Sequence, residues 1–148
     1  MINIIKATKE HLPEILRIGQ ELISPSWTYN FLSNEFNNSD SKFLTAINDS
    51  VCGFIIFRHV GDDGEILQVA VDKRMQRSGI GDLLIDAVVN YAREKNLKSI
   101  FLEVRKSNTA AEHLYIKHGF KSVRVRNNYY SDPVEDAVVM AVEIRDFN

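Results

Sequence analysis

The sequence predicts a mixed α/β domain, and three patterns carry that prediction. An apolar run at residues 66–71 leads through a glycine-bearing turn into an amphipathic helical repeat, and another apolar run follows at residues 99–104. A strand, a helix and a strand in that order lie side by side and parallel, joined by a right-handed crossover. Upstream, residues 42–47 and 51–60 flank Asn48-Asp49-Ser50 like the arms of a hairpin. Downstream, residues 123–126 and 137–144 form a closing antiparallel pair.

Each element follows from its local pattern. Residues 2–7 read as a strand, and Thr8 is an N-cap for a helix whose apolar positions are Leu12, Ile15, Leu16, Gly19, Leu22 and Ile23. Pro13 is tolerated there because it lies near the helix start. Ser24-Pro25-Ser26 ends that helix, a short second one covers residues 29–36, and residues 37–41 form a polar loop. Gly61-Asp62-Asp63-Gly64 turns the chain from the hairpin into the strand at residues 65–71. The helix after Gly79 places Ile80, Leu83, Leu84, Ala87, Val88, Tyr91 and Ala92 on one face, and Asp82, Asp86, Asn90, Arg93 and Glu94 on the other. It ends near Asn96. Ser107 or Asn108 caps a further helix carrying Ala110, Ala111, Leu114 and Tyr115, and Gly119 closes it. Tyr129 and Tyr130 then fall in the loop between the last two strands, where paired tyrosines serve lid packing or peptide contact.

Composition limits what such a domain can do. The 148 residues are 45% hydrophobic and 26% charged, which suits a single domain over residues 1–148 with a proper core and argues against disorder. A formal net charge of −2 gives no global basic field for nucleic acid, so none is expected as a direct partner. The single Cys52 cannot form an internal disulfide and reads as a small buried hydrophobe, which favours a reducing, cytoplasmic setting. There is no apolar run of about 18 residues and no signal-peptide pattern, so neither a membrane partner nor export is expected. His11, His59, His113 and His118 lack metal-ligand spacing with one another and with Cys52, and Asp62-Asp63 reads as a turn, so no metal is expected. A monomer or weak dimer is expected.

The segment with the most chemistry in it is Gln76-Arg77-Ser78-Gly79-Ile80-Gly81. It lies between a strand and a helix N-terminus, where unpaired N–H groups and the helix dipole attract anions and glycines let a phosphate approach the main chain. A P-loop would need Lys and then Ser or Thr where Asp82-Leu83 stand. A dinucleotide fingerprint would need Gly or Ala at Leu84. The remaining Q-x-x-G-x-G pattern resembles the pyrophosphate loop of the GNAT acetyltransferases. Leu102-Glu103-Val104-Arg105, Ser107-Asn108 with Ala110-Ala111, Leu114-Tyr115, Gly119-Phe120, Arg126-Asn127-Asn128-Tyr129-Tyr130, and Glu135-Asp136-Ala137 with Met140 follow at family spacing. Together they resemble the RimI-type branch, the ribosomal-protein-alanine N-acetyltransferases, over nearly the whole chain.

The resemblance implies a twisted, mixed but mostly antiparallel sheet with helices on both faces, and two parallel strands splayed around acetyl-CoA. Val69, Ala70 and Val71 would meet the pantetheine arm through their main chain, as an added strand would. Gln76, Arg77, Ser78, Gly79, Ile80, Gly81 and Asp82 would wrap the pyrophosphate, and Asn108 would contact the coenzyme near the thioester. The acceptor amine must lose a proton to attack, and the departing thiolate must gain one. Glu103, at a strand end amid Phe101, Leu102 and Val104, is the expected base, because apolar burial raises a carboxyl pKa; a surface ion pair is the alternative. Tyr115 reads by spacing alone as a core aromatic beside Leu114 and Phe120, and the resemblance makes it the acid. The acceptor groove would use Trp27, Tyr129 and Tyr130. The implied acceptor is the N-terminal alanine of a small-subunit ribosomal protein. A lysine or small amine, or coenzyme binding without turnover, are the other readings. Gln68, Lys73, Asn127 and the short loop at residues 131–134 depart from the family pattern, and two of these fall where the acceptor should lie.

Overall fold

The structure is a computed structural model that describes residues 1–144; residues 145–148 of the expected domain lie outside the described residues. In chain order the elements are β1 (Asn3–Lys6), α1 (Leu12–Leu22), α2 (Tyr29–Asn37), β2 (Ser41–Asn48), β3 (Ser50–Val60), β4 (Asp63–Val71), α3 (Ile80–Glu94), β5 (Ser99–Arg105), α4 (Thr109–Lys117), β6 (Lys121–Tyr130) and β7 (Glu135–Glu143). Among the described residues one seven-stranded sheet runs β1-β2-β3-β4-β5-β7-β6. Every neighbouring pair is antiparallel except β4 with β5. The mixed, mostly antiparallel sheet expected from the sequence is therefore the observed one.

The core has two layers, one on each face of the sheet. Ile80, Leu84, Ile85 and Val88 of α3 pack with Ile55, Phe57, Ile66, Ile100, Leu102 and Met140. Leu12, Ile15 and Ile18 of α1, with Trp27 and Leu32, pack with Phe43, Phe54, Ile56 and Ala70 on the other face. Successive β3 residues serve opposite layers, which is why residues 51–57 are apolar without alternation. The buried stripe of α3 is rotated from the expected one: Ile85 is fully buried, whereas Leu83 is 41% exposed. Similarly, α1 buries Ile18 completely, while Leu16, Leu22 and Ile23 are only partly covered.

Three boundaries differ from expectation. Thr8 caps a short 3-10 turn, Lys9–His11, rather than α1 itself, and its main-chain N–H donates to His11 Nδ1 at 2.9 Å. The turn before β4 is tighter than the four residues expected, because Asp63 already pairs with Val60. The largest difference concerns Tyr129 and Tyr130, which lie at the end of β6 and not in a loop. The strand expected to end at residue 126 continues, and residues 127–129 form an irregularity inside it. Asn128 takes a positive φ of 53°, and the ladder resumes at Tyr130 opposite Glu135.

The α1–α2 layer closes on a glycine. A Cβ at Gly19 would lie 2.4 Å from Cε3 and Cζ3 of the Trp27 ring, which also packs against Phe31 and Phe54. Trp27 is only 7% exposed and has no room to retreat. Gly19→Ala should therefore destabilise the protein by about 1–3 kcal/mol through overpacking, read as a lower urea midpoint with an unchanged slope.

Candidate active site

The site begins where two strands separate. Parallel pairing of β4 with β5 runs from Asp63 opposite Ser99 to Ile66 opposite Leu102, and stops there. Leu67 is an extra residue in the β3–β4 ladder, since Phe57 faces Ile66 while Ile56 faces Gln68. Beyond it β4 stays with β3, placing Val69 opposite Ile55 and Val71 opposite Gly53. β5 stays with β7, placing Glu103 opposite Val139 and Arg105 opposite Ala137. Each strand follows its own antiparallel partner, and a cavity of about 850 Å³ opens between them.

At one end of this cleft lies the anion loop. Gly79 is the N-cap of α3 with φ 84°, a left-handed conformation that favours glycine, and a Cβ there would meet nothing within 4 Å. The backbone angle, and not lack of space, demands the glycine. The first bond inside α3 is Leu83 N–H to Gly79 O at 3.1 Å, so the N–H groups of Ile80, Gly81 and Asp82 have no partner within the helix. Side chains from the loop hold its shape. Gln76 Nε2 donates to Val71 O at 3.1 Å, and Ser78 Oγ donates to Met75 O. Asn108 caps α4 by accepting from Ala111 N–H at 3.2 Å, which leaves its amide NH₂ as a donor.

Asp72, at the start of this loop, has no counterpart among the residues expected from sequence. It is 3% exposed and accepts from Arg17 of α1 at 2.8 Å, from the Arg74 guanidinium at 2.9 Å and from Arg74 N–H at 3.2 Å. Hydrogen bonds from Arg74 and Arg17 hold its carboxyl well below the usual carboxylate range. The loop is thereby tied to α1 by a buried charge. An Asp directly after a strand was the only signal in the sequence, and the partner Arg17 is 55 residues away.

The middle of the cleft brings Glu103 of β5 and Tyr115 of α4 to the same cavity as Val69, Ala70, Val71 and Asn108. The surroundings of Glu103 are not the apolar ones expected. Leu102 and Val104 point to the opposite face of the strand and are buried in the α3 layer. On its own face Glu103 pairs with Arg126 at 3.1 Å and accepts from the Tyr129 hydroxyl at 3.5 Å. Tyr115 is 6% exposed and packs against Phe120, so it is a core aromatic that also lines the cleft. Burial pushes its phenol well above the usual range, and it keeps its proton throughout the neutral range.

Towards the other end, Tyr130 lines the cleft with its ring 4.4 Å from the Arg105 guanidinium. Burial, then the nearby Glu103 charge, push its phenol up to about 12. Arg105 also donates to Pro133 O at 3.1 Å and pairs with Glu135 at 3.2 Å, while Glu135 accepts from Ser107 N–H at 2.6 Å. This bracket fixes the turn after β6 against the start of α4. Trp27 reaches the cleft only as an edge of the α1–α2 core, while Ser78 and Tyr129 lie off its wall. Among the described residues no group of three or more His, Cys, Asp or Glu could hold a metal ion. Nor is any helix among them long and apolar enough to cross a membrane.

A mixed sheet with two splayed parallel strands, and an anion loop at one end of the splay, defines an acyl-transfer class. The family model described as acetyltransferase (GNAT) family matches residues 7–120. The chain is 31% identical over 135 residues to the ribosomal protein bS18-alanine N-acetyltransferase of Escherichia coli (strain K12), covering 90% of this chain and 91% of that one. Its identity to the corresponding enzyme of Salmonella typhimurium (strain LT2) is 33% over 146 residues, covering 97% of each. The crystal structure of the ribosomal-protein-S18-alanine N-acetyltransferase from Escherichia coli superposes with a TM-score of 0.90 at 28% identity, over 100% of this chain and 97% of that one. The chain belongs to the GNAT acetyltransferases, in their RimI-type branch.

The Asp72 network makes a prediction about acid stability. A carboxyl held low in the fold contributes stability that is fully present above its unfolded pKa of about 4 and is lost as pH falls through the folded value. Asp72→Asn should cost about 2 kcal/mol at pH 7, since it leaves Arg17 without its buried partner. Urea titrations at pH 7, 5 and 3 should show the gap between the two proteins narrowing towards pH 3.

Proposed function

We propose that this protein, as a single domain over residues 1–148, transfers the acetyl group of acetyl-CoA directly to the α-amine of a protein N-terminus, the terminal alanine of a small-subunit ribosomal protein. The observation that carries this reading is one continuous cleft that holds the anion loop, the unpaired side of β4, Glu103 and Tyr115 together. The acceptor is supported by the relatives, which act on bS18 alanine by name and align along nearly all of this chain. A ribosomal acceptor places the reaction in the cytoplasm.

The residues present fit the cosubstrate. Three N–H groups without helical partners suit a diphosphate, and the side of β4 that β5 leaves unpaired suits the amides of an extended arm. Bound acetyl-CoA supplies an activated thioester. Glu103 takes the proton from the incoming amine. Arg126 and Tyr129 engage one carboxylate oxygen each and fix the group, and lone pairs on both oxygens stay available. Tyr115 holds a proton at its phenol oxygen in the same cleft and donates it towards the leaving sulfur. Backbone N–H groups near Val69 steady charge developing on the carbonyl oxygen. Tyr130 and the edge of Trp27 shape the acceptor side, and Tyr129 acts through Glu103.

The reading is tested by thiol release with acetyl-CoA on a panel of peptides. The panel holds an Ala-first ribosomal N-terminus, other N-termini, and N-blocked peptides with internal lysines. Turnover on the Ala-first peptide and silence on the blocked ones is the expected result. Turnover confined to blocked peptides or small amines would overturn the acceptor, and silence on all with coenzyme still bound would leave a non-catalytic binder. Glu103→Gln and Tyr115→Phe should each lower kcat by about 10²-fold or more, with coenzyme A affinity retained. Full activity in both would end the acid–base assignment.

A further inference from the structure

Asp82 poses an electrostatic problem for the site. It is in the first turn of α3, its main-chain N–H is one of the three without a helical partner, and it lines the cleft. Its carboxylate puts a negative charge beside the place where the diphosphate of the coenzyme would rest. The end of α4 answers that charge. His118 Nε2 lies 2.8 Å from Asp82 Oδ1, and Lys117 Nζ lies 3.2 Å from the same oxygen. The other imidazole nitrogen, Nδ1, lies 3.3 Å from Asp86 Oδ1 one helical turn along α3. Both ring nitrogens of His118 therefore face carboxylate oxygens of α3. The His118 side chain is 12% exposed against a half-buried Asp82, while Lys117 reaches in from the surface.

We propose that Lys117 and His118 are positioning residues for the coenzyme: they draw the Asp82 carboxylate onto α4 and cancel its charge, so that the start of α3 presents a net positive face to a diphosphate. This rests on the acetyl-CoA reading above. The same contacts tie the end of α4 to the start of α3, where a Cβ on Gly81 would already lie 3.1 Å from Leu114. His118 and Lys117 touch neither the reacting atoms nor the acceptor side, so their effect belongs to coenzyme binding.

The test is calorimetric titration of the full chain with coenzyme A, repeated at low and at 0.5 M salt. His118→Gln and the more exposed Lys117→Gln should each weaken binding by roughly threefold to tenfold at low salt, and by less at high salt. Asp82→Asn keeps the N–H and removes the charge. Adding it to His118→Gln should restore affinity to within about twofold of the unaltered protein. A purely structural clamp predicts the reverse, since the second substitution would remove what remains of the contact. Unchanged affinity in both single variants, or failure of Asp82→Asn to restore it, would overturn the inference alone. Absence of coenzyme A binding by the unaltered protein would overturn the function together with it.

Discussion

Main-chain hydrogen bonding at the parting of β4 and β5 is the constraint on which the site depends. Strand backbone groups inside a protein need partners, and a gap in the middle of a sheet normally leaves them unpaired. Here the gap is tolerated because each strand keeps one full antiparallel partner, β3 for β4 and β7 for β5. The bulge at Leu67 starts the divergence, while Ile66 and Leu102, both buried, hold the strands together below it. The result is a sheet edge in the centre of the molecule, lined on one side by main-chain groups that a ligand can complete. Because α3 starts at one end of the gap and α4 runs along it, the anion loop, Glu103 and Tyr115 are consequences of the same divergence.

Rigidity around the gap comes from side chains that bind main chain or buried charge. Gln76 and Ser78 brace the anion loop from within, and Asp72 ties it to α1 through Arg17. On the acceptor side each of two arginines stacks over one tyrosine and also engages one carboxylate: Arg105 with Tyr130 and Glu135, Arg126 with Tyr129 and Glu103. Such planar stacks order long side chains at small entropic cost and set the distance between β6 and β5 at the mouth of the cleft.

The order of elements was legible in the sequence because it depends on local pattern. The strand, glycine turn, helix and strand from β4 to β5 follow from apolar periodicity, and Gly79 was recognisable from its place in the Q-x-x-G-x-G turn between strand and helix. What was not legible depends on contacts across the sheet or between distant segments. Glu103 looked apolar because its chain neighbours are apolar, yet strand geometry sends those neighbours to the other face and gives it Arg126 instead. Tyr129 and Tyr130 looked like loop residues because the strand was read only over residues 123–126, and pairing with β7 carries it on past an irregularity to Tyr130. Trp27 was placed near the acceptor, but its ring belongs mostly to the α1–α2 core, against a glycine whose role depends on a partner eight positions away. Asp72 carried no motif at all; its meaning comes from Arg17.

The two ends of the cleft make opposite electrostatic demands. In the proposed function one end holds the diphosphate with backbone N–H groups, which are oriented by the fold and cannot be titrated away. The Asp82 carboxylate in that region is engaged by two groups at the end of α4. In the proposed reaction the other end takes a proton from the amine, and Glu103 has a single guanidinium partner on a side chain 20% exposed. Val69, Leu102 and Tyr115 bring apolar surface to the walls of the same cleft. The separation follows from the strand splay. A fully paired sheet would leave no unpaired side of β4 and no cleft joining the β4–α3 loop to Glu103.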